Sequence, residues 1–480
     1  MILTELRPDQ REARDRALTR PGFALLPEQR VGKCLIALAV ADARKPDVLV
    51  IVCPKKAIRV WRQQMKEHLK FDWPCEKTIV HYEGVCRAAK DRRWWRKRFR
   101  ETWAEKTILL VVDEGHRIKG RGSMQSTMIR SLGKVSDYRL LLTGTPVDKV
   151  VEDSWALMDF VQPGALGDTW DEFSDEYLEY ETKKNKKQQR FYKVIVGYRH
   201  AKKLGKILAR YSYRVTLKEA QRLSGRRPYL VRRRVVRFDL APESRRVYNE
   251  LQTELEAEVN RKIVSTPLVV TLVSKLQQLT GGFLIHSEQV YGEDDLPVLT
   301  PRGKPKIFKT IIPVGREKLL ELVKLIRRLP RGKKFVICVQ YTHEIERIGR
   351  QVERLGRSWK VLDGSEYFDG TFDTDCIIMQ IRSGEAVDLA KARLFFMYSW
   401  NHSNIAHEQA KFRILSFKSK IVDYVYLIAN ESVDEEIYQA VRHKKKLARL
   451  VIDKYRRRRK VREVVKGTRR HRRGTKKAAA

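Results

Sequence analysis

The chain has 480 residues, a formal net charge of +41 and a hydrophobic content of 42%, with aromatics at 9%. That length allows two or three domains, each with its own core, and the apolar content indicates a globular protein. So large a positive excess points to a polyanionic partner, nucleic acid first, held through phosphate contacts. An anionic membrane surface is the rival reading, but no apolar run approaches a membrane span and the N-terminus has no signal-peptide pattern, so no membrane partner is expected. Cysteines at 34, 53, 75, 86, 338 and 376 form no Cys-x-x-Cys pair. Neither a zinc site nor a disulfide framework is implied, and free thiols suit a cytoplasmic location.

In chain order, "GFALL" (22–26) is a candidate strand feeding the stretch "PEQRVGKC", and a helix is expected to begin near Cys34. "VLVIVCP" (48–54), "TILLVVDE" (107–114) and "YRLLLTGTP" (138–146) are continuous β-rich runs with polar or helical flanks. This is the pattern of buried parallel strands in an α/β lobe. From about Val150 to Arg316 helical spacing dominates, as in "SWALMDFVQPG" and "SRRVYNELQTELEAEVNRKI", broken by charged stretches such as "ETKKNKKQQR". Strand-like runs return at 334–341, 376–381, 393–400 and 423–429, so a second α/β lobe is expected. From Arg442 to Lys477 there are 19 Lys and Arg against 2 acids, which reads as a phosphate-seeking extension. The boundaries expected are 1–165 for lobe one, 166–315 for a helical insertion and linker, 316–445 for lobe two and 446–480 for the basic tail.

Two features carry chemistry. A turn through Glu28, Gln29, Arg30, Val31, Gly32, Lys33 and Cys34, between a strand and a helix, has backbone amides to cradle phosphates, with Lys33 to reach the β- and γ-phosphates. "VVDEGH" then ends a buried strand with Asp113 and Glu114. A nucleoside-triphosphate hydrolase needs one carboxylate near Mg2+ and another to handle the attacking water. Alone, the Asp-Glu pair reads better as a solvated strand-end turn, and the loop as well as a plain strand-to-helix turn with a surface lysine. Their company alters the weighing: "LRPDQ" with Arg7 and Gln10 upstream, "LLTGTP" downstream, then "SGEAVDL" (383–389) with Asp388, and "HEQAKFR" (407–413) with Gln409 and Arg413.

In this order the motifs resemble those of Swi/Snf-type ATPases of helicase superfamily two, in the compact form seen in bacteriophages and bacteria. The resemblance covers roughly residues 1 to 445. "LRPDQ" is similar to the adenine-reading glutamine motif, "EQRVGKC" to motif I and "LVIVCPKKAIRVWRQQ" to motif Ia. "DEGH" stands for Asp-Glu-Ala-His, "LLTGTPV" for motif III, "KFVICVQYTHEIERI" with "VLDGS" for motif IV, "SGEAVDL" for motif V and "QAKFR" for motif VI. The resemblance implies two RecA-like lobes with helical insertions, closing on ATP and Mg2+ and translocating on double-stranded DNA. It assigns Lys33, Asp113, Glu114 and Arg413 to catalysis. Arg7, Gln10, Arg30, Val31, Gly32, Lys33, Cys34, Asp388 and Gln409 are assigned to nucleotide binding, and Asp113 and Cys34 to the metal. If the chain is viral, the host cytoplasm is its expected location. Protein partners are not legible.

The departures from the family pattern are specific. Arg30 replaces the middle glycine of motif I, and Cys34 replaces its hydroxyl residue; a thiol is a soft ligand for hard Mg2+. Ala386 stands for a second glycine in motif V, and Ser416 for the second arginine of motif VI. Arg413, Lys418 and Lys420 are the nearby cations that remain for that arginine's role. Two alternatives follow: a catalytically weak or inactive DNA-binding protein that retains the helicase fold, and an RNA helicase. In "DRRWWRKRFRETW" (91–103) the aromatics are expected in the core, with some arginines on nucleic acid. "YLVRRRVVRFDL" (229–240) alternates like a strand with its charges in water.

Overall fold

A computed structural model describes residues 2–70, 74–144, 151–184, 191–254, 256–259, 262–265, 269–291, 296–301, 303, 305–364, 371–381, 387–400 and 404–442. Thr145 and Pro146, residues 382–386 and the basic tail lie outside them. The chain divides into two compact units, at Tyr229 and Leu230.

Unit one is built on strands β1 (Gly22–Leu25), β2 (Val48–Cys53), β3 (Glu76–His81), β4 (Ile108–Asp113), β5 (Tyr138–Leu142) and, after a hairpin of β6 (Leu178–Lys184) and β7 (Phe191–Tyr198), β8 (Ser212–Tyr213). The sheet order is β3-β2-β4-β5-β1-β8, and every pairing in it is parallel. Strands β2 and β4 are buried at every position, as unbroken runs of Val, Ile and Leu require when helices cover both faces. Helices α1 (Pro8–Leu18), α2 (Lys33–Arg44) and α3 (Ala57–His68) follow the N-terminal segment, β1 and β2 respectively.

Unit two repeats the plan. Its strands are β9 (Leu230–Phe238), the hairpins β10 (Glu256–Val259) with β11 (Lys262–Ser265) and β12 (Phe283–Gln289) with β13 (Ile307–Pro313), then β14 (Phe335–Val339), β15 (Trp359–Leu362), β16 (Cys376–Gln380), β17 (Leu394–Met397) and β18 (Ile421–Ala429). The main sheet runs β15-β16-β14-β17-β18-β9, again all parallel. The expected class, two parallel-sheet α/β lobes flanked by helices, is the class observed.

The expected insertion at 166–315 is not one region. Its first part completes sheet one, because β8 pairs with β1. Its second part opens sheet two, because β9 pairs with β18 along its whole length, from Leu230 opposite Ile421 to Phe238 opposite Ala429. Nor is it only helical. The helix Pro242–Glu254 stops short of the expected run, and the residues after it form the β10–β11 hairpin; an apolar pattern of eight residues serves a helix and a strand equally.

Of the aromatics at 94–103, Trp95, Phe99 and Trp103 are buried while Trp94 is 51% exposed. A π-helical turn at Arg98–Thr102 follows the helix Ala89–Lys97. Strand β9 is a strand as expected, and the sheet places it at an edge, with exposed Arg232 paired to Asp423 at 2.5 and 2.8 Å.

Candidate nucleotide site

The position of the site follows from register. Leu142, the last residue of β5, lies opposite Leu25 of β1 on one side and opposite Asp113 of β4 on the other. The turn that begins at Leu26 and the carboxylates at 113–114 therefore leave the same edge of the sheet at the same level. With β5 between them, they are about 10 Å apart. This is the carboxyl edge, where ligands bind in open parallel sheets.

The turn is held from three sides. The segment after β7 carries it on the β8 side: Leu26 N–H donates to Tyr213 O at 2.8 Å, and Glu28 N–H to Val215 O at 2.9 Å. The Glu28 carboxylate accepts from Leu217 N–H at 2.8 Å. From the N-terminus, Arg7 Nη2 and Gln10 Nε2 both donate to Val31 O, at 2.5 and 3.0 Å. Gln10 Oε1 accepts from Arg7 N–H at 3.1 Å, and Asp9 holds the Arg7 guanidinium at 3.1 Å. Gln10 and Val31 are fully buried. In this arrangement Arg7 and Gln10 brace the turn, an assignment their motif alone did not supply. On the third side, Gly144 after β5 lies so close that a Cβ there would stand 2.8 Å from Lys33 Nζ.

The backbone turns through two left-handed residues, Arg30 at φ 71° and Gly32 at φ 92°. Gly32 caps α2, leaving the first amides of that helix at the turn. Lys33 Nζ donates to Pro27 O at 3.3 Å, so its ammonium folds back over the turn.

On the opposite strand, Asp113 is buried at the end of β4. Its Oδ2 accepts from Trp61 Nε1 at 2.9 Å, and its Oδ1 from Glu114 N–H at 2.9 Å. Burial, and then the charge of Glu114, push its carboxyl up to about 6, against the pull of the Trp61 hydrogen bond and Lys33. Glu114 is left-handed at φ 53° and pairs with His116 at 3.2 Å. Gly115 is closely packed: a Cβ there would stand 2.5 Å from Leu141 Cδ1, so that side chain would have to shift.

Cys34 is half-buried at the start of α2. Burial, and then the negative charge of Asp113, raise its thiol well above the usual range, while Lys33 pulls the other way. This favours the protonated thiol, a soft and poor partner for hard Mg2+. Asp113 does fit a divalent cation, which would offset its repulsion with Glu114. Among the described residues no group of three or more His, Cys, Asp and Glu could hold a metal. Mg2+ at such a site takes one or two carboxylates together with substrate phosphates and water.

In unit two, Leu389 N–H donates to Arg413 O at 3.0 Å, which brings the segment of Asp388 beside that of Gln409 and Arg413. Asp388 is exposed and caps Ala390 N–H at 2.9 Å. Gln409 lies half-buried on the helix Asn404–Phe412, and Arg413 is buried just after it. Ser416 is tied into a turn with Ser419, accepting from Lys418 N–H at 3.2 Å. Lys418 and Lys420 are exposed.

Residues 79–279 match the SNF2-related domain. This segment holds Asp113 and Glu114 and leaves out the turn at 26–34. The chain is also 25% identical over 367 residues to Protein CHROMATIN REMODELING 5 of Arabidopsis thaliana, covering 73% of this chain and 20% of that protein. It is 26% identical over 372 residues to a DNA repair and recombination protein RAD54-like of Drosophila mojavensis, covering 72% of this chain and 46% of the relative. It thus spans a fifth to about half the length of these curated relatives. Among solved structures it is similar to a Sulfolobus solfataricus SWI2/SNF2 ATPase core in complex with double-stranded DNA, at 20% identity and a TM-score of 0.40, over 94% of this chain and 93% of that one.

Proposed function

We propose that the chain is an ATP-dependent motor translocating on double-stranded DNA, remodelling DNA in replication, recombination or repair. The observation that carries this reading is the register that sets the Lys33 turn and the Asp113–Glu114 pair on one sheet edge, with β5 between them. Lys33 and the first amides of α2 would hold the triphosphate. Asp113 would hold Mg2+, whose charge would stabilise the phosphoryl oxygens, and Glu114 would orient or deprotonate the attacking water. On the resemblance alone, Asp388, Gln409 and Arg413 are its candidates in unit two. The charge of +41 supports a phosphate backbone as the track, and the RAD54-like relatives are DNA repair and recombination proteins by name. The compact bacteriophage-like form and a cytoplasmic location belong to the same reading.

A second reading, a slow or non-hydrolysing DNA-binding protein, draws on Ser416, which stands in place of an arginine and is engaged with Ser419. Steady-state ATP turnover, titrated separately with duplex DNA, single-stranded DNA and duplex RNA, separates the readings. A motor on duplex DNA is stimulated most by duplex DNA. A stronger response to RNA selects the RNA helicase. No turnover with any of them, together with tight DNA binding, selects the non-hydrolysing protein.

A further inference from the structure

We propose that Trp61 is a positioning residue for the metal-binding carboxylate Asp113, setting its plane through the indole N–H. The inference rests on the ATPase reading above.

Helix α3 buries only Ala57 and Trp61 among its twelve residues. Trp61 is fully buried and is the one large anchor of that helix. A packing role asks only for the ring. The indole carries a single donor and no acceptor, and that donor meets Asp113 Oδ2 at 2.9 Å, across 52 residues of sequence. Since Glu114 N–H takes Oδ1 at 2.9 Å, both carboxylate oxygens are held and the side-chain torsion is fixed. The backbone beneath is held as well: the Tyr82 hydroxyl stands 2.5 Å from Asp113 O and 3.4 Å from Glu114 O. One lone pair on each carboxylate oxygen remains for a cation or its water.

Without the indole N–H, Oδ2 is a buried acceptor with one partner fewer and a freer rotor. The carboxylate then presents itself to the ion in several orientations. Partners of this kind around a metal ligand change metal affinity by roughly 10- to 100-fold when removed.

The test is binding of a fluorescent, non-hydrolysable ATP analogue to the full chain, with and without Mg2+. Native protein should bind more tightly with Mg2+, and Asp113→Ala should remove that gain. Trp61→Phe keeps a ring and should reduce the gain roughly tenfold, with metal-free binding serving as the check on the fold. Trp61→His, which keeps a ring N–H, should recover part of it, and it replaces the phenylalanine variant if that one does not fold. In the Asp113→Ala background neither change should matter further. A native-like Mg2+ gain in Trp61→Phe overturns the inference alone. So does an equal weakening of metal-free binding in Trp61→Phe, which would make Trp61 a packing residue. Absence of Mg2+-dependent binding in the native protein overturns the ATPase reading and this inference together.

Discussion

Gly32 lies against Gln10 so closely that a Cβ on the glycine would stand 2.6 Å from Gln10 Nε2. The glycine is needed twice over, for its φ of 92° and for the space that the buried amide occupies. Gly32→Ala should therefore cost about 1–3 kcal/mol and push Gln10 off the Val31 carbonyl. The expected readings are a lower thermal midpoint and loss of ATP-analogue binding. A variant that binds as the native protein does would show that Gln10 does not brace the turn.

Arg30 has the same left-handed conformation, at φ 71°, without the glycine that suits it. For a residue with a Cβ this costs about 1–2 kcal/mol. Arg30→Gly should raise the denaturation midpoint, the opposite sign from Gly32→Ala. A lower midpoint would mean that the guanidinium's interactions outweigh the backbone strain.

Cys34 offers the metal a neutral thiol, since burial and Asp113 hold its proton on. Cys34→Thr supplies a hard oxygen at the same position, so it should raise ATP turnover at low Mg2+ with little change in thermal stability. Mn2+, which tolerates softer ligands, should stimulate the native protein more than the threonine variant. Titrating both metals on both proteins at saturating DNA checks this. Lower activity in the variant with unchanged metal preference would leave the cysteine without a role at the metal.

Burial and the neighbouring Glu114 push the Asp113 carboxyl up to about 6 in the ligand-free fold, above the ordinary carboxylate range. Between roughly pH 4 and 6 the folded chain holds a proton that the unfolded chain has lost, so this residue's stabilisation is complete in acid and is lost as pH rises through 6. In urea denaturation without nucleotide or metal, Asp113→Asn should lack that component of the pH dependence. Identical pH profiles for the two proteins would place the proton elsewhere.

Much of unit one was readable because buried parallel strands carry their own signature. The runs at 48–54, 107–114 and 138–146 needed no partner to be recognised, and the strand-to-helix turn at 26–34 lay ahead of them, after the short apolar run at 22–26. What escaped was set by contacts distant in sequence. Ser212 and Tyr213 form a two-residue strand held by backbone bonds to β1, with no periodicity to betray it. The boundary at Leu230 was hidden because the exposed arginines of β9 mask an edge strand that meets its neighbour nearly two hundred residues later. At the site, the sequence supplied Lys33, Asp113 and Glu114 as types and spacings. It did not supply the bracing of Val31 by Arg7 and Gln10, or the reach of Trp61 to Asp113, because a side-chain hydrogen bond across 52 residues leaves no local pattern. Nor did it supply the coupling at Cys34, where the carboxylate expected to share the ion also favours the protonated thiol, because that contact joins distant positions.

The most direct test of the account is steady-state ATP turnover with and without duplex DNA, for the native protein and for Glu114→Gln. Glu114 sits one residue past a buried strand end, beside the carboxylate proposed for the metal, and its exchange for an amide keeps the shape while removing the base. The account predicts DNA-stimulated turnover in the native protein and its loss in the variant, with ATP-analogue binding retained. Equal turnover in both would remove Glu114 from the chemistry and contradict the account.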